Sequence, residues 1–165
     1  MDSKCGVGTG VYSDDLNFSR SFRLPNLASN FQAEVLGIEK ACEALLANYQ
    51  RIQKAIIYTD SQAALQALST PLTNSSVVHN CKKALSTLKD KVQLDLVWVP
   101  GHRNIFGNEK ADELAKAGAC RLIGRRHRLR ICTKKQDENY DGLKYQYFNL
   151  PSHKKYLMDS NNSTN

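Results

Sequence analysis

The sequence predicts an α/β fold in which an antiparallel pair of strands comes first and parallel strands follow, layered against helices. Three observations lead to it. A glycine-relieved stretch and an alternating stretch flank an acidic turn near the N-terminus. Apolar residues then recur at steps of three and four, the period of a helix with one buried face. Short apolar runs bounded by turn residues separate those helical spans, as strands do.

The first segment, Gly6-Val7-Gly8-Thr9-Gly10-Val11-Tyr12-Ser13, reads as a strand relieved of bulk by its glycines. Asp14, Asp15 and Asn17 make a turn, residues 18–24 alternate as a second strand, and Pro25 ends it. Ser29 and Asn30 are good N-caps for a helix running to about residue 49, with Val35, Ile38, Cys42, Leu45 and Tyr49 on its buried face. Residues 54–60 form the next strand, and the unbroken apolar run Ala55-Ile56-Ile57-Tyr58 suits a parallel strand covered on both faces. A short helix spans 61–68, and another about 75–90 with Val78, Cys81, Leu85 and Leu88 as its stripe. Leu94, Leu96 and Trp98 alternate as a further strand, stopped by Pro100-Gly101, and Asn108 caps a last helix reaching about residue 118.

The 165 residues suffice for one domain and a tail, divided at 1–119 and 120–165. Charge marks the division. Residues 1–119 hold 13 Lys/Arg against 12 Asp/Glu, whereas residues 120–165 hold 10 against 4, so the tail carries +6 of the net +7. Periodicity fails there, and Arg125-Arg126-His127-Arg128-Leu129-Arg130 is followed by a polar, low-complexity end. The tail is expected to be mostly disordered, with local helix or strand near 143–150, and to add no layer to the sheet after about residue 124. Its basic residues could hold a polyanion; a solvated extension is the other open reading. Five scattered cysteines suggest neither a disulfide framework nor zinc, and Cys120, His127 and Cys132 offer only three ligands. With no long apolar run and no apolar leader core after Met1-Asp2-Ser3-Lys4, an intracellular protein without a membrane partner is expected.

Three carboxylates stand where such a fold would aim them at one place. Glu34 falls in the first turn of the long helix, on the flank of its buried face; an acid there also complements the helix dipole. Asp60 closes a parallel strand, the end at which α/β sheets build sites, although an N-cap for the next helix is the plainer role. Asp112, beside Glu113 in the last helix, would alone read as a solvated acid.

Their surroundings are more specific. Asn30-Phe31-Gln32-Ala33-Glu34, Tyr58-Thr59-Asp60-Ser61-Gln62-Ala63-Ala64, Val97-Trp98-Val99-Pro100-Gly101-His102 and Gly107-Asn108-Glu109-Lys110-Ala111-Asp112 occur in that order. Residues 6–119 thereby resemble a type 1 ribonuclease H domain, most of all those of non-LTR retrotransposons. The resemblance implies a ribonuclease H-like mixed sheet flanked by helices. It implies two-metal hydrolysis of the RNA strand of RNA–DNA hybrids, with Mg²⁺ (Mn²⁺ as a substitute) held by an Asp-Glu-Asp-Asp set. Glu34, Asp60 and Asp112 match the second, third and fourth acids, His102 a mobile histidine that assists proton movement or product release, and Asn30 a residue near the hybrid's minor groove. A nucleic-acid partner follows, and a reverse transcriptase in the parent element. The chemistry suits those residues, because Mg²⁺ is a hard ion that takes oxygen ligands, and two ions about 4 Å apart can serve both the attacking water and the leaving oxygen. A non-catalytic nucleic-acid-binding remnant of a retroelement is the alternative reading.

The family pattern begins with an apolar strand ending in Asp-Gly-Ser-Lys, whose Asp is the first ligand. This chain opens with Met1-Asp2-Ser3-Lys4. Either Asp2 is that ligand and its glycine is lost, or the motif lies upstream and residues 1–5 fill the variable stretch after it. The second register is preferred. In both, the apolar part of the first strand is absent, and backbone groups on the 6–13 strand and on the strand ending at Asp60 lose partners, at a cost in stability.

Overall fold

The protein is described by a computed structural model covering residues 6–101, 105–120 and, by backbone alone, 146–147. Strands β1 (Gly8–Ser13) and β2 (Phe18–Arg23) form an antiparallel hairpin in which Gly8 faces Arg23 and Ser13 faces Phe18. Asn17 closes the turn at a φ of 47°, a left-handed conformation that asparagine tolerates well. Helix α1 (Asn30–Leu46) follows, its start fixed by a reciprocal cap. The Gln32 amide donates to Ser29 Oγ at 3.2 Å, and the Ser29 amide to Gln32 Oε1 at 2.8 Å.

Strand β3 (Lys54–Thr59), helices α2 (Gln62–Ser69) and α3 (Ser76–Lys89), and strand β4 (Gln93–Trp98) complete the main body, with β3 and β4 parallel. Its core lies between the helices and one face of β3–β4. Val35, Ile38 and Cys42 of α1 meet Leu65 and Leu68 of α2, Leu85 and Leu88 of α3, and Leu94 and Leu96 of β4. Cys42 and Cys81 are fully buried in it, and burial pushes the Cys42 thiol up to about 12 and the Cys81 thiol higher still. Both are therefore expected to resist a thiol-alkylating reagent at neutral pH until the protein unfolds, whereas Cys120, exposed at the end of the last helix, is expected to react in the native state. Mass mapping after brief labelling checks this; early modification of Cys42 would mean that the core opens readily.

Helix α4 (Phe106–Ala119) lies on the hairpin face opposite α1. The contact is so close that only glycine fits. A Cβ on Gly10 would lie 2.2 Å from the Ala111 carbonyl oxygen, one on Gly8 2.4 Å from that of Ala115, and one on Gly118 2.6 Å from that of Phe22. On the other face Thr9 and Val11 are buried against α1, where Gly37 leaves room for the Thr9 hydroxyl. The glycines of the opening segment thus serve helix packing.

The expected α/β order, an antiparallel hairpin followed by parallel strands among helices, is the order observed; β1–β2 and β3–β4 form separate ladders, with none between them among the described residues. Other expectations are corrected. β3 is covered on one face only, so that Ala55 and Ile57 are buried while Ile56 and Tyr58 are 38% and 55% exposed. An apolar run reports hydrophobicity and not what is present to cover it. Tyr49 is also exposed, because α1 ends at Leu46 and a 3-10 turn (Tyr49–Arg51) takes the chain off the helical stripe. Helix α4 starts before Asn108, its cap position being Ile105. The tail does add to the sheet: β5 (Gln146–Tyr147) pairs antiparallel with β4 at Trp98 and Val97. The remainder of the tail, and Asp2, lie outside the described residues. Among the described residues no helix is long and apolar enough to cross a membrane.

Candidate active site

Helix α1, the end of β3 and helix α4 each bring one acid to the wall of a single cavity of about 1380 Å³, which Glu34, Asp60 and Asp112 all line, together with Asn30 and Asn108. Glu34 sits just past the first turn of α1 and is exposed, not tucked against the flank of the buried face as its helical position suggests. The cavity leaves it uncovered. Its Oε2 accepts a hydrogen bond from the hydroxyl of Ser61, which is only 6% exposed.

Ser61 does a second job, as the cap of the next helix. Its Oγ accepts from the Ala64 amide at 3.1 Å and so caps α2. Asp60 is thereby released from capping, and its carboxylate is left for other partners. The Trp98 indole donates to the Asp60 carbonyl oxygen at 3.1 Å and fixes that peptide at the strand end. Asn108 Nδ2 approaches Asp60 Oδ2 at 3.5 Å, a long contact that nonetheless orients the carboxylate. Gly101 crowds the same oxygen, since a Cβ there would lie 3.0 Å from it. Asp112 is half-buried on α4, one residue beyond the Ala111 carbonyl that packs on Gly10.

The three acids therefore share a cavity wall but are not drawn together. Among the described residues no three His, Cys, Asp or Glu side chains are grouped closely enough to hold a metal ion. Convergence of the three carboxylates, expected from the sequence, is corrected to that extent. The physical reason lies in the fold. Glu34 and Asp60 belong to the α1–β3 side, linked through Ser61, whereas Asp112 rides on α4 and the hairpin, across the gap where the two sheets are not joined. The salt bridges of the described residues, Lys40–Glu43, Lys54–Asp95 and Lys110–Glu113, engage none of the three. His102 lies outside the described residues, between Gly101 and Ile105.

Sequence reasoning missed Ser61, Trp98 and Asn108 as positioning residues. Ser61 was visible as a competing cap beside Asp60. Asn108 was taken for a helix cap, and only the spatial approach of α4 to β3 reveals its contact with Asp60.

The RNase H family profile matches residues 2–120, most of the chain, and the chain belongs to the ribonuclease H family. It is 33% identical over 131 residues to ribonuclease H1 of Mus musculus, an alignment covering 68% of this chain and 44% of that protein. It is also 33% identical over 94 residues to the Pol polyprotein of an ovine maedi visna related virus (strain South Africa), covering 56% of this chain and 8% of that one. The chain thus spans less than half the length of these curated relatives. In fold it is similar to the crystal structure of RNase H1 from the halophilic archaeon Halobacterium salinarum NRC-1, with a TM-score of 0.51 at 22% identity over 72% of this chain and 89% of that one.

Proposed function

We propose that this chain is the ribonuclease H domain of a reverse-transcribing element of the non-LTR kind, and that its site serves hydrolysis of the RNA strand of an RNA–DNA hybrid. The observation that carries the reading is the placement of Glu34, Asp60 and Asp112, from three separate elements, on the wall of one cavity. Family membership supports the reaction class, and the likeness to a viral Pol polyprotein supports a retroelement origin.

The donor set fits Mg²⁺, because carboxylate oxygens are the hard ligands that ion takes. Glu34, Asp60 and Asp112 would hold it, and a fourth acid, from Asp2 or from polypeptide upstream, would complete the set. Bound there, Mg²⁺ (or Mn²⁺) would supply positive charge to activate a water and to stabilise the oxygen leaving phosphorus. The chain's own residues prepare the place. Ser61 orients the Glu34 carboxylate by donating its hydroxyl to Oε2. Trp98 and Asn108 hold Asp60 by its carbonyl and its carboxylate, and the missing side chain of Gly101 leaves room for that carboxylate. Asn30, exposed at the cavity mouth, offers an amide to the sugar edge that an A-like hybrid displays in its wide minor groove. His102 is assigned to proton movement or product release.

One observation favours the alternative of a non-catalytic nucleic-acid-binding remnant: the described acids are not gathered as an ion requires. A labelled RNA–DNA hybrid separates the two. Cleavage in Mg²⁺, with binding but no cleavage in Ca²⁺, is the ribonuclease result. Salt-sensitive binding in both ions with no cleavage, from this chain and from one extended by an apolar strand ending in Asp-Gly-Ser-Lys, is the result for the remnant.

A further inference from the structure

We propose that the short tail strand β5 is a positioning element for the active site, which braces the end of β4 and acts on Asp60 through Trp98. The proposal rests on the reading of Asp60 as a metal ligand, and the brace itself is measured apart from that reading.

Trp98 is the last residue of β4 and the single tryptophan of the chain. Asp60 leans on this end of the strand in two ways. The Trp98 indole donates to the Asp60 carbonyl oxygen at 3.1 Å. Gly101, three residues on, lies so near the carboxylate that a Cβ there would stand 3.0 Å from Asp60 Oδ2. The carbonyl held by the indole belongs to the peptide that joins Asp60 to Ser61, and the Ser61 hydroxyl meets Glu34. The position of the β4 end therefore bears on two of the three acids.

The indole bond is open to solvent, so water competes for both of its groups, and the ring keeps its partner only while its backbone is held. On one side β3 holds it. Trp98 faces Thr59 in the parallel ladder, and the Val99 amide donates to the Thr59 carbonyl oxygen at 2.9 Å. On the other side β5 holds it, with Gln146 facing Trp98 and Tyr147 facing Val97 in an antiparallel ladder. Strand ends beside turns open most easily, and Pro100-Gly101 follows almost at once. β5 pairs with the last two residues of β4 and, among the described residues, with no others. Pairing so short adds little to the sheet as a whole. It falls on the one stretch of β4 from which Asp60 is held, and it reaches that stretch from a part of the chain beyond α4.

The test uses the full chain labelled with nitrogen-15, in which the single indole N–H gives one signal. Gln146→Pro with Tyr147→Pro removes both amide donors of β5 and leaves the length and charge of the tail unchanged. Exchange of the Trp98 indole proton with solvent is expected to quicken by about tenfold. The Mn²⁺ concentration that broadens the signals of residues 59–61 is expected to rise by about fivefold, the worth of one hydrogen bond, with Tm nearly constant. Gln146→Val with Tyr147→Val, which keeps the amides in residues suited to strands, is expected to rescue both values. Trp98→Phe removes the donor and leaves β5. It is expected to raise the Mn²⁺ concentration as far as the proline pair does, and the two together no further, because they act through one bond. An indole proton indifferent to the proline pair would overturn the brace. Quicker indole exchange with an unchanged Mn²⁺ response would overturn its action on Asp60, and additive losses would overturn the route through Trp98. A Tm lowered by several degrees would make β5 a general support of the fold and overturn the local role. Signals of residues 59–61 that ignore Mn²⁺ in the unaltered chain would remove Asp60 as a ligand and the proposal with it, an outcome distinct from the others because it needs no variant.

Discussion

The 165-residue chain alone is expected to cut an RNA–DNA hybrid in Mg²⁺ very poorly or not at all, and a chain extended by an apolar strand ending in Asp-Gly-Ser-Lys is expected to cut it. Hydrolysis by two metals needs carboxylates that fix both ions against the scissile phosphate, so three separated acids fail in position and in charge balance together. The extension acts on both. Its strand would enter the opening between β1 and β3 and join the sheets, and its Asp would add the remaining ligand. Asp60→Asn in the extended chain is expected to remove activity again by roughly a thousandfold or more, because residues that act as one unit fail as one. Single-turnover cleavage of a labelled hybrid measures all three proteins. Rapid turnover by the unextended chain, lost on Asp2→Asn, would instead make Asp2 the fourth acid.

Gly10→Val is expected to be the most damaging single change in the described fold. A Cβ at this position would lie 2.2 Å from the Ala111 carbonyl and 2.6 Å from the Leu114 Cβ, so a helix backbone would have to move. Overpacking of this kind costs about 1–3 kcal/mol and sometimes more, against a domain stability of only about 5–15 kcal/mol. The displaced element is α4, so Asp112 would leave its place as stability falls. Gly107→Ala is the matched control, since nothing lies within 4 Å of a Cβ there. Thermal unfolding should show a Tm lowered by several degrees for Gly10→Val and little changed for Gly107→Ala. Equal Tm values would mean that α4 does not rest on the hairpin as described.

Much of this could be read from the sequence, and the misses have physical causes. The α1 and α3 stripes were legible because helical periodicity is local: Val35, Ile38, Cys42, Val78, Cys81, Leu85 and Leu88 are all buried. The hairpin was legible from its turn and its glycines. What the glycines were for was not, because their neighbours Ala111, Ala115 and Phe22 are remote or unmarked in sequence. The single-faced burial of β3 was hidden for a similar reason: Ile56 and Tyr58 are apolar whether or not anything covers them. At the site, the identity of the acids came from ordered motifs, whereas their separation depends on a gap between sheets that no local pattern encodes. Local structure near 143–150 was expected and β5 falls there, but that it pairs with β4 had no signal, since two residues are too few to carry an alternation.

The central claim is that Glu34, Asp60 and Asp112 form one metal-binding set. Titration of Mn²⁺ into isotope-labelled protein tests it directly, because the paramagnetic ion broadens signals only near where it binds. In the extended chain, signals of residues 33–35, 59–61 and 111–113 are expected to disappear together at low, equal Mn²⁺ concentrations, and Mg²⁺ should restore them. Broadening confined to other acids such as Asp14, Asp15 or Glu109, with the three groups unaffected or responding at separate concentrations, would contradict the account.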